Sequence, residues 1–143
     1  MIATFFLRFN LAPLQLRRDV GMLGALWKVS RGIAHPDLCA LFPLCPIPPL
    51  ILRTRADHRR HRRQFVDPCD GTQLRQFSRS LFGLIKVWNV LPTEFVDTES
   101  VSSFQAKLTG VARLACRDDA ESWQHMFSVD SLPFTLLVRY CFV

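Results

Sequence analysis

Four prolines between Pro43 and Pro49, in the stretch PLCPIPP, stop any helix or central strand from running through the middle of this chain. Proline has no amide donor and fixes φ, so the run favours an extended, semi-rigid path. Whatever core forms must be assembled from separate blocks on either side. The expected fold is mainly α: short helical segments and a helical hairpin, joined by extended Pro-rich and Arg-rich connectors, with at most a few short strands. Four segments follow: a basic amphipathic helical segment over 1–43, a Pro-rich and Arg-rich linker over 44–75, a helical hairpin over 76–116 and an apolar tail over 117–143.

The first block opens at Pro13, a residue that a first helical turn tolerates. Leu16, Val20, Leu23 and Trp27 interleave with Met22, Leu26, Val29 and Ile33 to give one wide apolar face over residues 16–33, flanked by Arg17, Arg18, Lys28 and Arg31. Gly21 and Gly24 each cost such a helix about 1 kcal/mol relative to alanine, which implies close packing or a weak spot. His35-Pro36 is expected to end it, because a residue before proline is pushed out of the α region. A short second helix, DLCALF, precedes the prolines.

Beyond them, LILRTR reads as a short edge strand and VDPCDGTQ as turns. LFGLIKVWNVLP places Leu81, Leu84 or Ile85, and Trp88 on one helical side, with Pro92 closing it. The clearest pattern follows: Ser100 caps a helix in which Val101, Phe104, Leu108, Val111 and Ala115 repeat at three and four. RDDAESWQHMF reads as a last short helix capped by Asp118, with Trp123, Met126 and Phe127 facing inward. The β-branched and aromatic tail TLLVRYCFV suggests a terminal strand.

The formal charge is +6, and Arg53 to Arg63 supplies most of it, with six arginines against the single acid Asp57. Guanidinium groups fork onto phosphate oxygens, so Arg53, Arg55, Arg59, Arg60, Arg62 and Arg63 are the candidate nucleic-acid-binding residues. Only Phe65 offers a base-stacking ring nearby, so any such binding is expected to be non-specific. The competing reading is a solvated basic loop or a nuclear import signal.

Catalytic residues and cofactors are not expected. Asp118-Asp119 invites comparison with metal-holding aspartate pairs, but adjacent acids at a helix boundary act first as a cap. Cys39 and Cys45 lie six apart, His58 and His61 three apart, and neither pair has zinc-site spacing. Neither a phosphate-binding glycine loop nor a nucleophile elbow is present. Five scattered cysteines read as reduced thiols, which places the chain in the nucleus or cytoplasm. The first eighteen residues, with three arginines and no acid, also fit a mitochondrial presequence. No apolar run reaches the roughly eighteen residues of a membrane span, since Arg8 and Arg139 interrupt the candidates, so no membrane partner is expected. A mean hydropathy of +0.14 is rich for a small monomer and suggests apolar faces that lack a partner.

Two stretches resemble the reverse-transcriptase proteins of non-LTR, LINE-type retrotransposons, downstream of the polymerase core. One is FNLAPLQLRRDVGMLGALWKVSRGIAHPDLCALFP, over 9–43. The other is RQFSRSLFGLIKVWNVLPTEFVDTESVSSFQAKL, over 75–108, similar to the closing signature of these polyproteins. Phe77, Ser78, Trp88, Asn89, Leu91, Pro92, Ser103, Phe104, Lys107 and Leu108 carry it. The resemblance implies a non-catalytic fragment that supports template or primer binding in the intact element. Its partners would be nucleic acid and the missing upstream polymerase region. The palm aspartates, the aromatic-x-Asp-Asp motif and the endonuclease domain of such proteins have no counterpart in these residues, and Asp118-Asp119 lies past the signature without the aromatic residue.

Overall fold

The computed structural model describes residues 12–46, 61–67, 80–128 and 135–141. The fold is mainly helical, and its described elements are α1 (Leu14–Ser30), α2 (Pro36–Ala40), α3 (Leu81–Val90), α4 (Thr93–Val96), α5 (Val101–Arg117), a 3₁₀ turn (Trp123–His125) and α6 (Thr135–Cys141). The edge strand expected over LILRTR and most of the turn segment VDPCDGTQ lie outside the described residues, as do Phe77 and Ser78.

α1 packs against both α3 and α5, so the two arms of the hairpin are bridged by the first helix. Its apolar series Leu16, Val20, Leu23, Leu26, Trp27 and Val29 is buried in one cluster with Leu84, Ile85, Val87 and Trp88 of α3 and Phe104, Leu108, Val111 and Ala115 of α5. The apolar face of α1 is thus covered within the chain, which corrects the expectation that it lacks a partner. At Gly24 an added Cβ would fall 2.3 Å from Gln105 Nε2 and 3.2 Å from Val101 Cγ2, so this glycine permits close approach of α1 and α5.

α1 ends earlier than its periodicity suggests, and His35-Pro36 is not the cause. Gly32 sits at φ +69°, with Gly32 N donating to Val29 O at 3.0 Å and Ile33 N to Lys28 O at 3.1 Å. This paired bonding closes a helix with a left-handed glycine, and it leaves Ile33 64% exposed beyond the end. His35-Pro36 instead starts α2, where His35 Nδ1 accepts from Asp37 N at 3.3 Å.

α5 begins as expected, with Ser100 Oγ accepting from Ser103 N at 3.1 Å. Its end overturns a second expectation. Asp118 and Asp119 follow the last turn of α5 and do not open another helix. Asp119 N donates to Cys116 O and Ala120 N to Ala115 O, both at 3.0 Å, with Asp119 in the left-handed region at φ +53°. The same capping motif ends α1 and α5, once with glycine and once with an aspartate. Trp123, Met126 and Phe127 are buried, as the apolar spacing implies, but on a 3₁₀ turn.

The tail also departs from its sequence reading. Thr135–Cys141 is helical, with Leu137 and Cys141, one turn apart, buried against the core. A strand there would need a partner for its amides, whereas a helix satisfies most of them internally.

Candidate nucleic-acid interface

Extended residues 61–65, the carboxy end of the arginine-rich stretch, are docked on the helical core. Phe65 pairs with Leu44 in an isolated antiparallel bridge. Cys45 N donates to Gln64 O at 2.8 Å, and Val66 N donates to Pro43 O at 2.9 Å. The proline-rich connector therefore supplies one neighbour for this segment, through the amide of Cys45, which lies between prolines, and the carbonyl of Pro43.

Trp88 and Asn89, at the end of α3, supply the other neighbour. Asn89 Oδ1 accepts from Phe65 N at 2.9 Å, while Asn89 Nδ2 donates to Phe65 O at 3.0 Å. One side-chain amide thus meets both main-chain groups of Phe65, as an adjacent strand would. Trp88 Nε1 donates to Arg63 O at 2.8 Å. The Trp88 carbonyl lies 2.7 Å from His61 Nε2. Rings continue the contact: Phe42 is edge-on to Phe65 at 5.9 Å, Phe65 lies 5.8 Å from Trp88, and Trp88 is edge-on to Phe104 at 5.7 Å.

His61 is only 2% exposed, although arginines flank it in sequence. Arg63 N donates to His61 Nδ1 at 3.2 Å, so Nδ1 is an acceptor and the proton belongs on Nε2, directed at the Trp88 carbonyl. Burial lowers the pKa of this histidine, and the nearby Arg63 charge adds to that. The Trp88 carbonyl and Asp97 act in the opposite sense. The available sequence signal was the two-residue alternation of His61, Arg63 and Phe65, which marks an extended segment with one face on the core.

Of the six candidate arginines, Arg53, Arg55, Arg59 and Arg60 lie outside the described residues. Arg62 is exposed. Arg63 is half-buried, and its Nη1 donates to Ser30 O at 3.0 Å. A cation on a carbonyl of the last turn of α1 completes a group that has no partner in the helix and complements the helix dipole. Arg63 is consequently fixed at the carboxy end of α1.

The signature residues that are described occupy adjoining places in this framework. Leu91, Phe104 and Leu108 are fully buried, and Pro92 precedes α4. Lys107 Nζ donates to Glu94 O at 2.9 Å and lies 5.9 Å from the centre of the Phe95 ring. α4 is also held from α1: Trp27 Nε1 and Arg31 Nη2 both donate to Val96 O, at 3.1 and 3.0 Å, and Arg31 reaches Thr98 O as well.

Burial raises the thiol pKa values of Cys45 and Cys116, with Asp119 adding to the rise at Cys116, and it pushes Cys141 up to about 12. These thiols are protonated at neutral pH and are poor nucleophiles. Asp118 Oδ2 accepts the Tyr140 hydroxyl at 2.8 Å, which ties α6 to the end of α5. Among the described residues no three His, Cys, Asp or Glu side chains gather in a metal-binding group, and no helix is long and apolar enough to cross a membrane. Among the described residues of the arginine-rich stretch the arrangement offers one exposed guanidinium, Arg62, between the docked His61 and Arg63. No protein-family model, curated protein or solved structure matches this chain.

Proposed function

We propose that this chain is a non-catalytic carboxy-terminal fragment of a LINE-type retrotransposon reverse transcriptase, whose role in the intact element is to support the template or primer nucleic acid. The reading rests on the resemblance around Trp88, Asn89, Leu91, Pro92, Phe104 and Leu108. One observation carries it furthest: Trp88 and Asn89 together hold the main chain of residues 61–65, so the most distinctive pair of the signature supports the basic segment. In this reading Arg53, Arg55, Arg59, Arg60 and Arg62 contact phosphates without sequence readout, and Arg63 tethers the segment to α1. Translation of the flanking genomic sequence tests it. An upstream frame, intact or decayed, that carries an aromatic-x-Asp-Asp motif is expected, and a flanking frame without one removes the proposal.

A second reading, a self-standing basic module that binds nucleic acid or another protein, is favoured by the mutual burial of α1, α3 and α5 in one cluster. A cooperative urea transition of the isolated chain, with no binding of a hydrophobic dye beforehand, is the outcome expected of such a module.

A further inference from the structure

The solvent face of α1 contains three choices that work against the helix. Arg17 and Arg18 fall near its amino end, where no acid is present in the first turn and cations oppose the helix dipole. Gly21 follows, in a helix interior where glycine is unfavourable. Gly24 is explained by the approach of α5, but a Cβ at Gly21 would meet nothing within 4 Å. Among the described residues no contact offsets the cost of that glycine.

These residues share a surface. Arg17, Gly21 and Lys28 stand four and seven residues apart on one stripe, with Arg18 beside it, and all four are exposed. Arg17 and Lys28 are separated by about 16 Å of helix rise, a length that spans roughly five phosphates of one B-form strand. The only acid of α1, Asp19, is turned inward, and Gln15 Nε2 donates to both of its carboxylate oxygens at 3.1 Å. Among the described residues Arg17, Arg18 and Lys28 make no ion pair.

We infer that the Arg17, Arg18, Lys28 face of α1 is a second phosphate-binding surface, and that its ligand is the phosphate backbone of a nucleic acid. The inference rests on the nucleic-acid reading above. Gly21 leaves room for a phosphate to approach the helix between the cations. An anionic membrane fits less well, because the apolar series of α1 is buried and Leu14 is the only large apolar residue exposed on this helix.

The test uses the full chain and a fluorescein-labelled mixed-sequence oligonucleotide, single-stranded and duplex, with anisotropy titrations between about 50 and 200 mM salt. Three variants are compared with the unmodified chain: Arg17→Gln with Arg18→Gln and Lys28→Gln; Gly21→Glu alone; and Gln at the six arginines from Arg53 to Arg63. The triple variant is expected to lower the duplex salt slope by roughly 2 to 3, so that its affinity falls about 40-fold less over that range. Gly21→Glu, placed in open space, is expected to weaken binding while helical circular dichroism is unchanged. A triple variant with an undiminished slope overturns the inference, and if that variant fails to fold, full affinity in Gly21→Glu does so. An undiminished slope in the six-arginine variant overturns the parent reading instead. Absence of nucleic-acid binding by the unmodified chain overturns both. Losses confined to phosphatidylserine vesicles or poly-glutamate, run as parallel ligands, also overturn the inference.

Discussion

Replacing Asn89 tests the support of the basic segment most directly, because one side chain makes two bonds to one buried residue. In Asn89→Ala the amide and carbonyl of Phe65 lose partners at 2.9 and 3.0 Å. Phe65 is 1% exposed, so water reaches these groups poorly. Each lost bond costs about 1 kcal/mol net, and a buried group left unpaired costs about 1 to 3, which puts the variant about 2 to 4 kcal/mol below the parent. For a chain of this size that is a fall in Tm on the order of 10 °C. Asn89→Asp separates the two bonds. Its carboxylate still accepts from Phe65 N but faces Phe65 O with no proton to donate. Protonation restores the donor, so the folded-state pKa of this aspartate is raised above its unfolded value. The restored stability is present at low pH and is lost as pH rises through the folded pKa. Urea titrations followed by tryptophan fluorescence, at neutral pH and near pH 4, measure both effects. An Asn89→Ala variant within about 0.5 kcal/mol of the parent, at unchanged m, refutes the reasoning, since the bonds would then contribute nothing net.

Two further outcomes are expected. Because burial holds the His61 pKa below its ordinary value, the unfolded chain binds the proton first. The contribution of neutral His61 is complete above the unfolded pKa near 6.5 and is lost as pH falls toward the folded pKa, so the parent should lose stability below about pH 6.5 more steeply than His61→Gln. Parallel urea midpoints across pH 5 to 7.5 check this, and identical pH profiles sink it. Asp119→Gly should raise stability by about 1 kcal/mol, since glycine relieves a left-handed backbone position and removes an acid from the unfavourable end of α5. A thermal melt that shows no gain contradicts that account.

Local pattern made the helices legible and left their connections obscure. Ser100 with Phe104, Leu108, Val111 and Ala115 marked α5 because capping and periodicity are properties of neighbouring residues. The end of α1 was equally local, in Gly32, but the proline at Pro36 was the louder signal and belongs to the start of α2. Asp118-Asp119 misled for a related reason: an acid at a helix boundary usually marks an amino end, and here an aspartate occupies a left-handed position that glycine normally fills. The tail was read from β propensity, which reflects packing on a sheet that the described chain does not have. The burial of His61 was the least accessible feature, because its partner at Trp88 lies 27 residues away and no periodicity encodes such a bond.

The framework around residues 61–65 also separates shape from charge. There Trp88 and Asn89 meet the ring of His61, and at Arg63 and Phe65 they bond only to main-chain carbonyl and amide groups. A support of this kind fixes His61 and Phe65 by burial but leaves the side chain of Arg62 free, so the fold does not require a cation at that position. The same holds on α1, where Arg17, Arg18 and Lys28 point away from the core and two of them oppose the helix dipole. Cations that the fold neither needs nor neutralises keep the surface solvated and remain available to an external anion. That asymmetry, more than the net charge, is the physical argument for a polyanionic partner.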